Sequence, residues 1–262
     1  MPELKHFTTE TPQSEIESAI LTDGACILDS LISPELCDQL MADFMPHIED
    51  VSWTNTGYKE DDEFFGLKTK RFHGLPGMSE KCSEIIGNEF LLDLASSILG
   101  RGRRCRALRV STMELMVLGS DQVDQQLHRD SDSWGYMNRS RDENILFSAN
   151  IALCDFTDTN GATVVVPGSC QWPDDRQAEE GETCLATMKK GSALLYSGDV
   201  IHGGGNNTED AIRTGFYIGF IPSWLSPLEN HVVASGVAAV DKLDEPIQHL
   251  LNVVPGGFTV IP

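Results

Sequence analysis

The stretch GSALLYSGDVIHGGGNNTEDAIRTGFYIGFI, residues 191–221, contains two strand patterns separated by a turn-forming segment. The first pattern is a short apolar run that ends at His202 and three glycines, and the second begins at Arg213. If the polar segment between them turns the chain back, the two patterns form neighbouring strands. Alternation along the second strand then places Arg213, Tyr217 and two glycines on one face, and bulky apolar residues on the other. The first face suits a cavity wall and the second suits packing.

Similar strand patterns occur throughout residues 104–222 and are separated by Gly, Pro, Asn and Asp. The candidates are RALRVSTMELMVL, ILFSANIALCDF, ATVVVPGS, CLATMKKGSALLYSG, VIHGG and RTGFYIGFI. Their spacing predicts one antiparallel sandwich or barrel. Before them, two segments open with Ser/Thr-Pro start signals and continue at helical spacing, and a third helical segment covers residues 79–100. The order predicts an α+β fold, mainly β, with helices outside the β core.

Length and composition favour a single domain. The chain has 262 residues, of which 40% are hydrophobic, so it can bury a substantial core. We expect residues 1–103 to form mainly helical support and a lid loop, residues 104–222 the β core, and residues 223–262 a C-terminal lid and helix. The lid loop is the Gly-rich stretch TNTGYKEDDEFFGLKTKRFHGLPG, since long insertions of this kind are more often lids or binding loops than linkers.

Charge and cysteine usage exclude several classes of partner. The formal charge of -21 repels phosphate backbones and anionic lipid surfaces, so neither nucleic acid nor a membrane is an expected partner. The seven cysteines are scattered and never spaced as C-x-x-C, which predicts reduced thiols. No apolar run approaches the length of a membrane span, and the first residues lack an apolar signal core. We therefore expect a soluble, cytoplasmic protein.

A candidate metal site begins in QQLHRDSDSW, residues 125–134. In an extended segment, residues i and i+2 point to the same side, so His128 and Asp130 can reach one ion, although the triplet alone also fits a charged turn. His202 is the outstanding third ligand, because the glycines after it allow close approach of a strand or ligand. Two imidazoles and one carboxylate fit a non-haem Fe(II) oxygenase better than a zinc site.

Arg213 follows His202 by eleven residues. A guanidinium at the cavity wall offers bidentate pairing to a carboxylate, as the far end of 2-oxoglutarate requires. An ordinary edge-strand arginine is the alternative interpretation.

The ordered set of motifs resembles the phytanoyl-CoA dioxygenase superfamily of Fe(II)/2-oxoglutarate oxygenases. It consists of the H-x-D triplet, NGATVVVPGS at residues 160–169, and GSALLYSGDVIHGGGNN with its following arginine. The phrases QLHRD, HGGGNNT and PSWLSPLENH resemble most the fungal and bacterial secondary-metabolite members, including meroterpenoid-tailoring oxygenases. The resemblance implies a double-stranded β-helix, or cupin-like jelly roll. It also implies that His128, Asp130 and His202 bind Fe(II), and that Gln125, Thr163 and Arg213 contact 2-oxoglutarate.

The resemblance further implies that O2 is used to oxidise a small natural-product intermediate, with release of succinate and CO2. Hydroxylation, desaturation and rearrangement are all open, and the substrate is expected to be a terpenoid, polyketide or alkaloid. A phytanoyl-CoA-type acyl hydroxylase, a non-catalytic jelly-roll binding protein, and a metal-dependent isomerase or hydrolase are the alternatives. Asp130 argues against halogenation, because related halogenases have a small residue there.

Two tryptophans are candidate apolar walls of the substrate site. Trp134 follows the metal triplet and Trp224 lies in the PSWLSPLENH turn. A core or dimer-contact role is the alternative for both. The resemblance allows a homodimer, since related biosynthetic members often pair, although no feature of the sequence itself establishes one.

Overall fold

The computed structural model describes residues 2–100, 107–135, 137 and 143–251. Most of the helical residues precede the long β strands. The helices are α1 (Gln13–Thr22), α2 (Pro34–Asp50), α3 (Lys59–Phe65), α4 (Cys82–Ile86), α5 (Glu89–Leu99), α6 (His231–Ser235), α7 (Val237–Val240) and α8 (Glu245–Leu250). Short 3-10 helices cover Leu75–Gly77, Asp130–Trp134 and Ser169–Gln171.

The strands form two sheets. In chain order they are β1 (His6–Phe7), β2 (Ala25–Leu28), β3 (Thr69–Phe72), β4 (Leu108–Leu118), β5 (Phe147–Ala152), β6 (Val164–Val165), β7 (Cys184–Leu185), β8 (Ala193–Ser197), β9 (His202–Gly203) and β10 (Arg213–Pro222). The larger sheet has the order β1-β2-β8-β5-β10-β4-β3, and the smaller has the order β7-β6-β9. Strands β1 and β2 are parallel, and the other described pairings are antiparallel.

The larger sheet has a helix-covered face and a cavity face. Phe216, Ile218 and Phe220 of β10 pack with residues of α2 and α5 in one hydrophobic cluster. This cluster also includes Ile16 and Leu251. The alternate residues of β10 turn to the other face, where a second cluster joins both sheets. The alternation predicted for this strand is confirmed. The predicted segment boundary between residues 103 and 104 lies outside the described residues.

The helical segment predicted over residues 79–100 is two helices, α4 and α5. Asn88 has an extended backbone, with φ -63 and ψ 110, and its side chain accepts a hydrogen bond from Leu91 N at 3.1 Å. An asparagine in this conformation caps a new helix instead of continuing the previous one. The apolar stripe crosses the interruption because both helices pack on the same sheet face, so periodicity alone did not reveal it.

Strands β1, β2 and β3 were not predicted, because they are too short to show a periodic pattern. β1 precedes the first predicted helical segment and pairs with β2, whose four residues are all buried. β3 lies inside the predicted lid loop and pairs with β4. The lid segment therefore consists of α3 followed by an edge strand. Within the described residues, no helix is both long and apolar enough to cross a membrane.

Glu229 fastens the C-terminal segment to the larger sheet. Its buried carboxylate accepts hydrogen bonds from the backbone N–H groups of Gly74 and Met113, each at 2.8 Å, and from the Thr112 hydroxyl at 3.2 Å. Burial would raise the pKa of this carboxyl, but these contacts and nearby His231 outweigh it and lower the pKa to about 2.

We expect Glu229→Gln to reduce the free energy of unfolding by about 3 kcal/mol at pH 7. The folded-state pKa lies below the ordinary value of 4.5, so the stabilisation is present above pH 4.5 and is lost as the pH falls toward 2. Urea unfolding followed by circular dichroism should show this difference shrinking between pH 5 and pH 3. Glu49→Gln, at the exposed end of α2, is the matched control. An equal effect of the two substitutions would contradict the assignment.

Candidate metal centre and adjoining pocket

His128, Asp130 and His202 lie together at one end of a cavity. The Nε2 atoms of His128 and His202 lie 3.4 Å and 3.6 Å from Asp130 Oδ1, and potential ligand atoms of the three residues all lie within 4.8 Å of one another. The structure thus brings together the three residues predicted from spacing. The intervening Arg129 instead donates hydrogen bonds to the backbone carbonyls of Asp199 and Ser169, at 2.9 Å and 3.2 Å.

The backbone fixes the separation of the two histidines. The N–H of His128 donates to the carbonyl of His202 at 2.9 Å, and the N–H of His202 donates to the carbonyl of His128 at 3.0 Å. This reciprocal bridge joins the segment after β4 to strand β9. Because it involves backbone atoms alone, it holds the two side chains side by side whatever they bind.

Hydrogen bonds orient both imidazole rings. The Nδ1 atom of His128 lies 2.9 Å from the carbonyl of Gln126, and that of His202 lies 3.1 Å from the carbonyl of Val200. Carbonyl oxygens accept only, so each Nδ1 carries the hydrogen and each Nε2 presents its lone pair toward Asp130. This is the arrangement that metal-binding histidines adopt.

The charge states also suit a cation. Burial would raise the pKa of Asp130, but the two histidines and the Tyr196 hydroxyl outweigh it and lower the pKa to about 2. Burial lowers the pKa of His202, and Asp130 only partly opposes this effect. For His128, burial also lowers the pKa, but the hydrogen bond and charge of Asp130 give a net increase. The carboxylate is therefore charged and His202 is neutral near pH 7.

Two tyrosines and a serine support Asp130 from behind. The hydroxyls of Tyr196 and Tyr217 donate to Asp130 Oδ2 at 3.2 Å and 3.4 Å, and Ser148 Oγ lies 3.0 Å from the Tyr217 hydroxyl. Sequence reasoning placed Tyr217 on the cavity face but did not connect either tyrosine with Asp130. Strand register supplies that connection, because β8 and β10 flank β5.

We expect Tyr196→Phe to weaken Fe(II) binding about tenfold, because one oxygen of Asp130 loses a hydrogen bond that orients it. Competition with a chromogenic chelator under anaerobic conditions measures the change. Tyr58→Phe, at an exposed position before α3, should leave the metal affinity unchanged. Equal affinities of wild type and Tyr196→Phe would show that the hydroxyl does not support the ligand.

Arg213 lies deeper in the same cavity and is 2% exposed. Its Nε donates to the carbonyl of Gly161 at 3.0 Å, Nη2 bonds to the same oxygen, and the guanidinium lies 4.3 Å from the ring centre of Phe156. Among the described residues, Nη1 has no hydrogen-bond partner. Burial lowers the pKa of this arginine to about 10, so it remains charged near pH 7. A buried cationic donor without an acceptor fits a carboxylate ligand.

The other predicted cosubstrate residues line this cavity as well. Thr163 is buried and lines the same cavity as Arg213, and Gln125 is half-buried, with Oε1 accepting a hydrogen bond from Gly204 N at 3.0 Å. The structure therefore brings Gln125, Thr163 and Arg213 to one cavity. The same cavity contains His128, Asp130 and His202. The donor set fits Fe(II), and the unpartnered Nη1 atom fits the far carboxylate of 2-oxoglutarate.

The cavity has a volume of about 680 Å³ and extends outward beneath the lid segment. Phe64 of α3 packs edge-on against His128, with ring centres 5.0 Å apart. Arg71 of β3 pairs with Glu114 of β4 at 2.7 Å, and His73 Nε2 lies 3.6 Å from the same carboxylate. The lid segment predicted from the sequence thus supplies both apolar and charged groups to the wall of the cavity.

The two tryptophans predicted to wall the substrate site lie elsewhere. Trp134 is 3% exposed and packs against Ile145, Leu146 and other apolar residues in a separate core cluster. Trp224 is 45% exposed, and neither tryptophan contributes to the lining of the cavity. The 3-10 helix Asp130–Trp134 turns Trp134 inward. This position corresponds to the core role, which was the alternative interpretation of Trp134. The sequence also predicts that SDSWGYMNRS, residues 131–140, lies against the substrate, and part of this segment lies outside the described residues.

Comparison with known proteins gives one consistent family. The model of the family described as phytanoyl-CoA dioxygenase (PhyH) matches residues 20–215. The chain is 30% identical to dioxygenase ALT11 of Alternaria alternata over 255 residues, covering 95% of this chain and 84% of the relative. It is 28% identical to the Fe(II)/2-oxoglutarate-dependent dioxygenase nvfF of Aspergillus novofumigatus, covering 88% of this chain and 79% of the relative.

Solved structures confirm the predicted jelly-roll fold. The epimerase SnoN in complex with Fe3+, alpha ketoglutarate and nogalamycin RO matches with a TM-score of 0.64 at 16% identity, covering 89% of this chain and 90% of that chain. HygX from Streptomyces hygroscopicus with nickel and 2-oxoglutarate bound matches with a TM-score of 0.62 at 15% identity, covering 81% and 88%.

Proposed function

The chain belongs to the phytanoyl-CoA dioxygenase family, and on that premise we propose that it uses Fe(II), 2-oxoglutarate and O2 to oxidise a small natural-product intermediate. Succinate and CO2 are the accompanying products. The observation that carries the proposal is the cavity that contains both the His128, Asp130 and His202 donor set and the unpartnered Nη1 of Arg213. A metal-chelating dicarboxylate uses both features at once.

Each group has a distinct task in this proposal. His128, Asp130 and His202 hold the iron, which when bound supplies the activation of O2 needed to oxidise an unactivated C–H bond. Arg213 pairs with the far carboxylate of 2-oxoglutarate, and Gln125 and Thr163 provide further polar contacts to the cosubstrate. Phe64 covers His128 and excludes water from that side of the site. The chain's remaining task is to aim one C–H bond of the substrate at the metal.

The cavity wall favours a compact substrate that carries both apolar and hydrogen-bonding groups. Polar and apolar side chains share the outer wall, namely Thr112, Glu114, Asp132, Phe64, Leu146 and Leu228. Terpenoid, polyketide and alkaloid intermediates fit such a wall. SnoN and its bound nogalamycin derivative provide a precedent for a natural-product ligand on this fold.

Two of the four Lys and Arg residues of the lid segment, Lys70 and Arg71, already have partners within the protein. Lys70 donates to the carbonyl of Ile48 at 2.6 Å and lies 4.7 Å from the ring centre of Trp53. Arg71 is paired with Glu114. These existing contacts favour the natural-product substrate over the phytanoyl-CoA-type alternative, because coenzyme A phosphates need available basic groups.

The proposal is tested with purified protein in two steps. Anaerobic addition of Fe(II) and 2-oxoglutarate should produce a weak visible charge-transfer band. Isotopically labelled O2 is then supplied with panels of terpenoid, polyketide, alkaloid and acyl-CoA compounds, and a true substrate should stimulate release of labelled succinate. Product formation without O2 would favour an isomerase or hydrolase. Absence of the band and of succinate release would favour a binding protein.

The homodimer and the cytoplasmic location stay predictions. Light scattering of the purified protein measures the first, and fractionation of cells that express it measures the second.

A further inference from the structure

We infer that Asn150 is a further positioning residue for the cosubstrate, whose side-chain amide donates a hydrogen bond to the far carboxylate of 2-oxoglutarate beside Arg213. This inference rests on the proposed function and adds a residue that sequence reasoning missed. It starts from the buried side-chain amide of Asn150, which has almost no hydrogen-bond partner among the described residues.

The register of β5 places Asn150 on the cavity face. Phe147, Ala149 and Ile151 of this strand pack into the helix-side cluster, so the residues between them face the opposite way. Asn150 pairs with Tyr217 of β10 and Leu194 of β8, which makes it part of the central strand of the larger sheet. It is 4% exposed and lines the same cavity as Thr163 and Arg213.

Two complementary groups at this place are unsatisfied. Among the described residues, neither Asn150 Oδ1 nor Arg213 Nη1 has a hydrogen-bond partner. The amide nitrogen of Asn150 reaches only Thr163 Oγ1, at 3.5 Å. Burying a polar atom without a hydrogen-bond partner costs about 1–3 kcal/mol of stability. The two unpartnered atoms and the weakly bonded Thr163 therefore indicate a ligand that supplies the missing hydrogen bonds.

Gly215 allows the two unsatisfied groups to lie against β10. A Cβ atom at this position would lie 2.6 Å from Asn150 Oδ1, 3.1 Å from Phe156 Cζ and 3.5 Å from Arg213 Nη1. Both unsatisfied atoms therefore border the space beside residue 215, and a side chain there would displace the Asn150 amide. The glycine lets the amide and the guanidinium approach the same point on a strand that is otherwise rich in large residues.

The chemistry of the two side chains specifies an anionic acceptor. Nη1 can only donate, so its partner must accept. The two ends of the Asn150 amide are nearly equal in size, and a half-turn about its last torsion turns Nδ2 toward the same space. Oδ1 then faces the Thr163 hydroxyl and can accept its hydrogen. A carboxylate between Nη1 and Nδ2 satisfies both donors.

The test uses Asn150→Asp, which keeps the size of the side chain and replaces a donor by a negative charge. We expect the Kd for 2-oxoglutarate, titrated anaerobically in the presence of Fe(II), to rise about a hundredfold because two carboxylates then face each other. Asn150→Ala removes the whole amide without adding a charge, so its Kd should rise about tenfold. Fe(II) affinity without cosubstrate should be unchanged in both variants.

A second cosubstrate analogue separates positioning from a merely structural role. 2-Oxobutyrate retains the chelating end but lacks the far carboxylate, so both substitutions should leave its Kd within about threefold of wild type. Asn88→Asp, at the start of α5, controls for an added negative charge and should leave both affinities unchanged. Equal weakening for the two oxo acids, or no weakening for 2-oxoglutarate, would overturn the inference. Failure of the wild-type protein to bind 2-oxoglutarate would instead overturn the proposed function.

Discussion

Replacement of His202 by alanine is expected to abolish tight Fe(II) binding and, with it, the visible band formed with 2-oxoglutarate. The substitution removes one of three ligands, and loss of a supporting contact alone typically costs a metal site tenfold to a hundredfold in affinity. We therefore expect the Kd for Fe(II) to rise by at least about a hundredfold. Anaerobic chelator competition measures the Kd, and absorption spectroscopy measures the band.

The fold should survive this substitution, because the backbone bridge between residues 128 and 202 does not use the imidazole. Near-ultraviolet circular dichroism and the thermal midpoint verify this point. His249→Ala is the matched control, since this histidine is exposed on the C-terminal helix α8, away from the cavity. Retention of the wild-type Fe(II) affinity in His202→Ala would contradict the metal assignment.

Arg213→Met is expected to remove 2-oxoglutarate binding while leaving the metal site intact. A buried charge pair loses about 3–5 kcal/mol when one partner is removed, which corresponds to a rise in Kd of about a hundredfold or more. Methionine preserves much of the apolar stem and can still pack on Phe156. Titration of the Fe(II) protein with 2-oxoglutarate measures the loss, and chelator competition tests the metal.

Arg176→Met controls for the loss of a positive charge. Arg176 stacks on Trp172 at 3.4 Å and pairs with Glu182 outside the cavity, so its replacement should leave cosubstrate binding unchanged. Because Arg213 also binds the carbonyl of Gly161, a lower thermal midpoint is expected for Arg213→Met. A wild-type affinity for 2-oxoglutarate in Arg213→Met would show that the unpartnered Nη1 serves another ligand.

The parts of the site that sequence reasoning found depend on local spacing. His128 and Asp130 share a side because they are two residues apart, and Arg213 and Tyr217 share a strand face for the same reason. The short strands predicted an antiparallel sandwich or barrel, and the family resemblance carried by the ordered motifs implied the jelly roll. Such features need no knowledge of how distant segments pair.

The parts that were missed depend on contacts between segments far apart in the chain. Asn150 approaches Arg213 only because β5 lies beside β10, and Tyr196 reaches Asp130 only across the cavity face. The polar Ser148 and Asn150, which alternate with apolar residues in β5, were a usable signal. Sequence alone could not orient Trp134, since a large aromatic suits a core and a binding wall equally well.

The reciprocal backbone bridge between residues 128 and 202 also affects how this site can evolve. Since this bridge uses backbone atoms alone, loss of either imidazole leaves a folded cavity that still contains the Arg213 donor. With the role proposed for Arg213, such a protein retains a pocket for small acids even after oxidation chemistry is lost. A single substitution can therefore convert the catalyst into a ligand carrier, from which new activities can be selected.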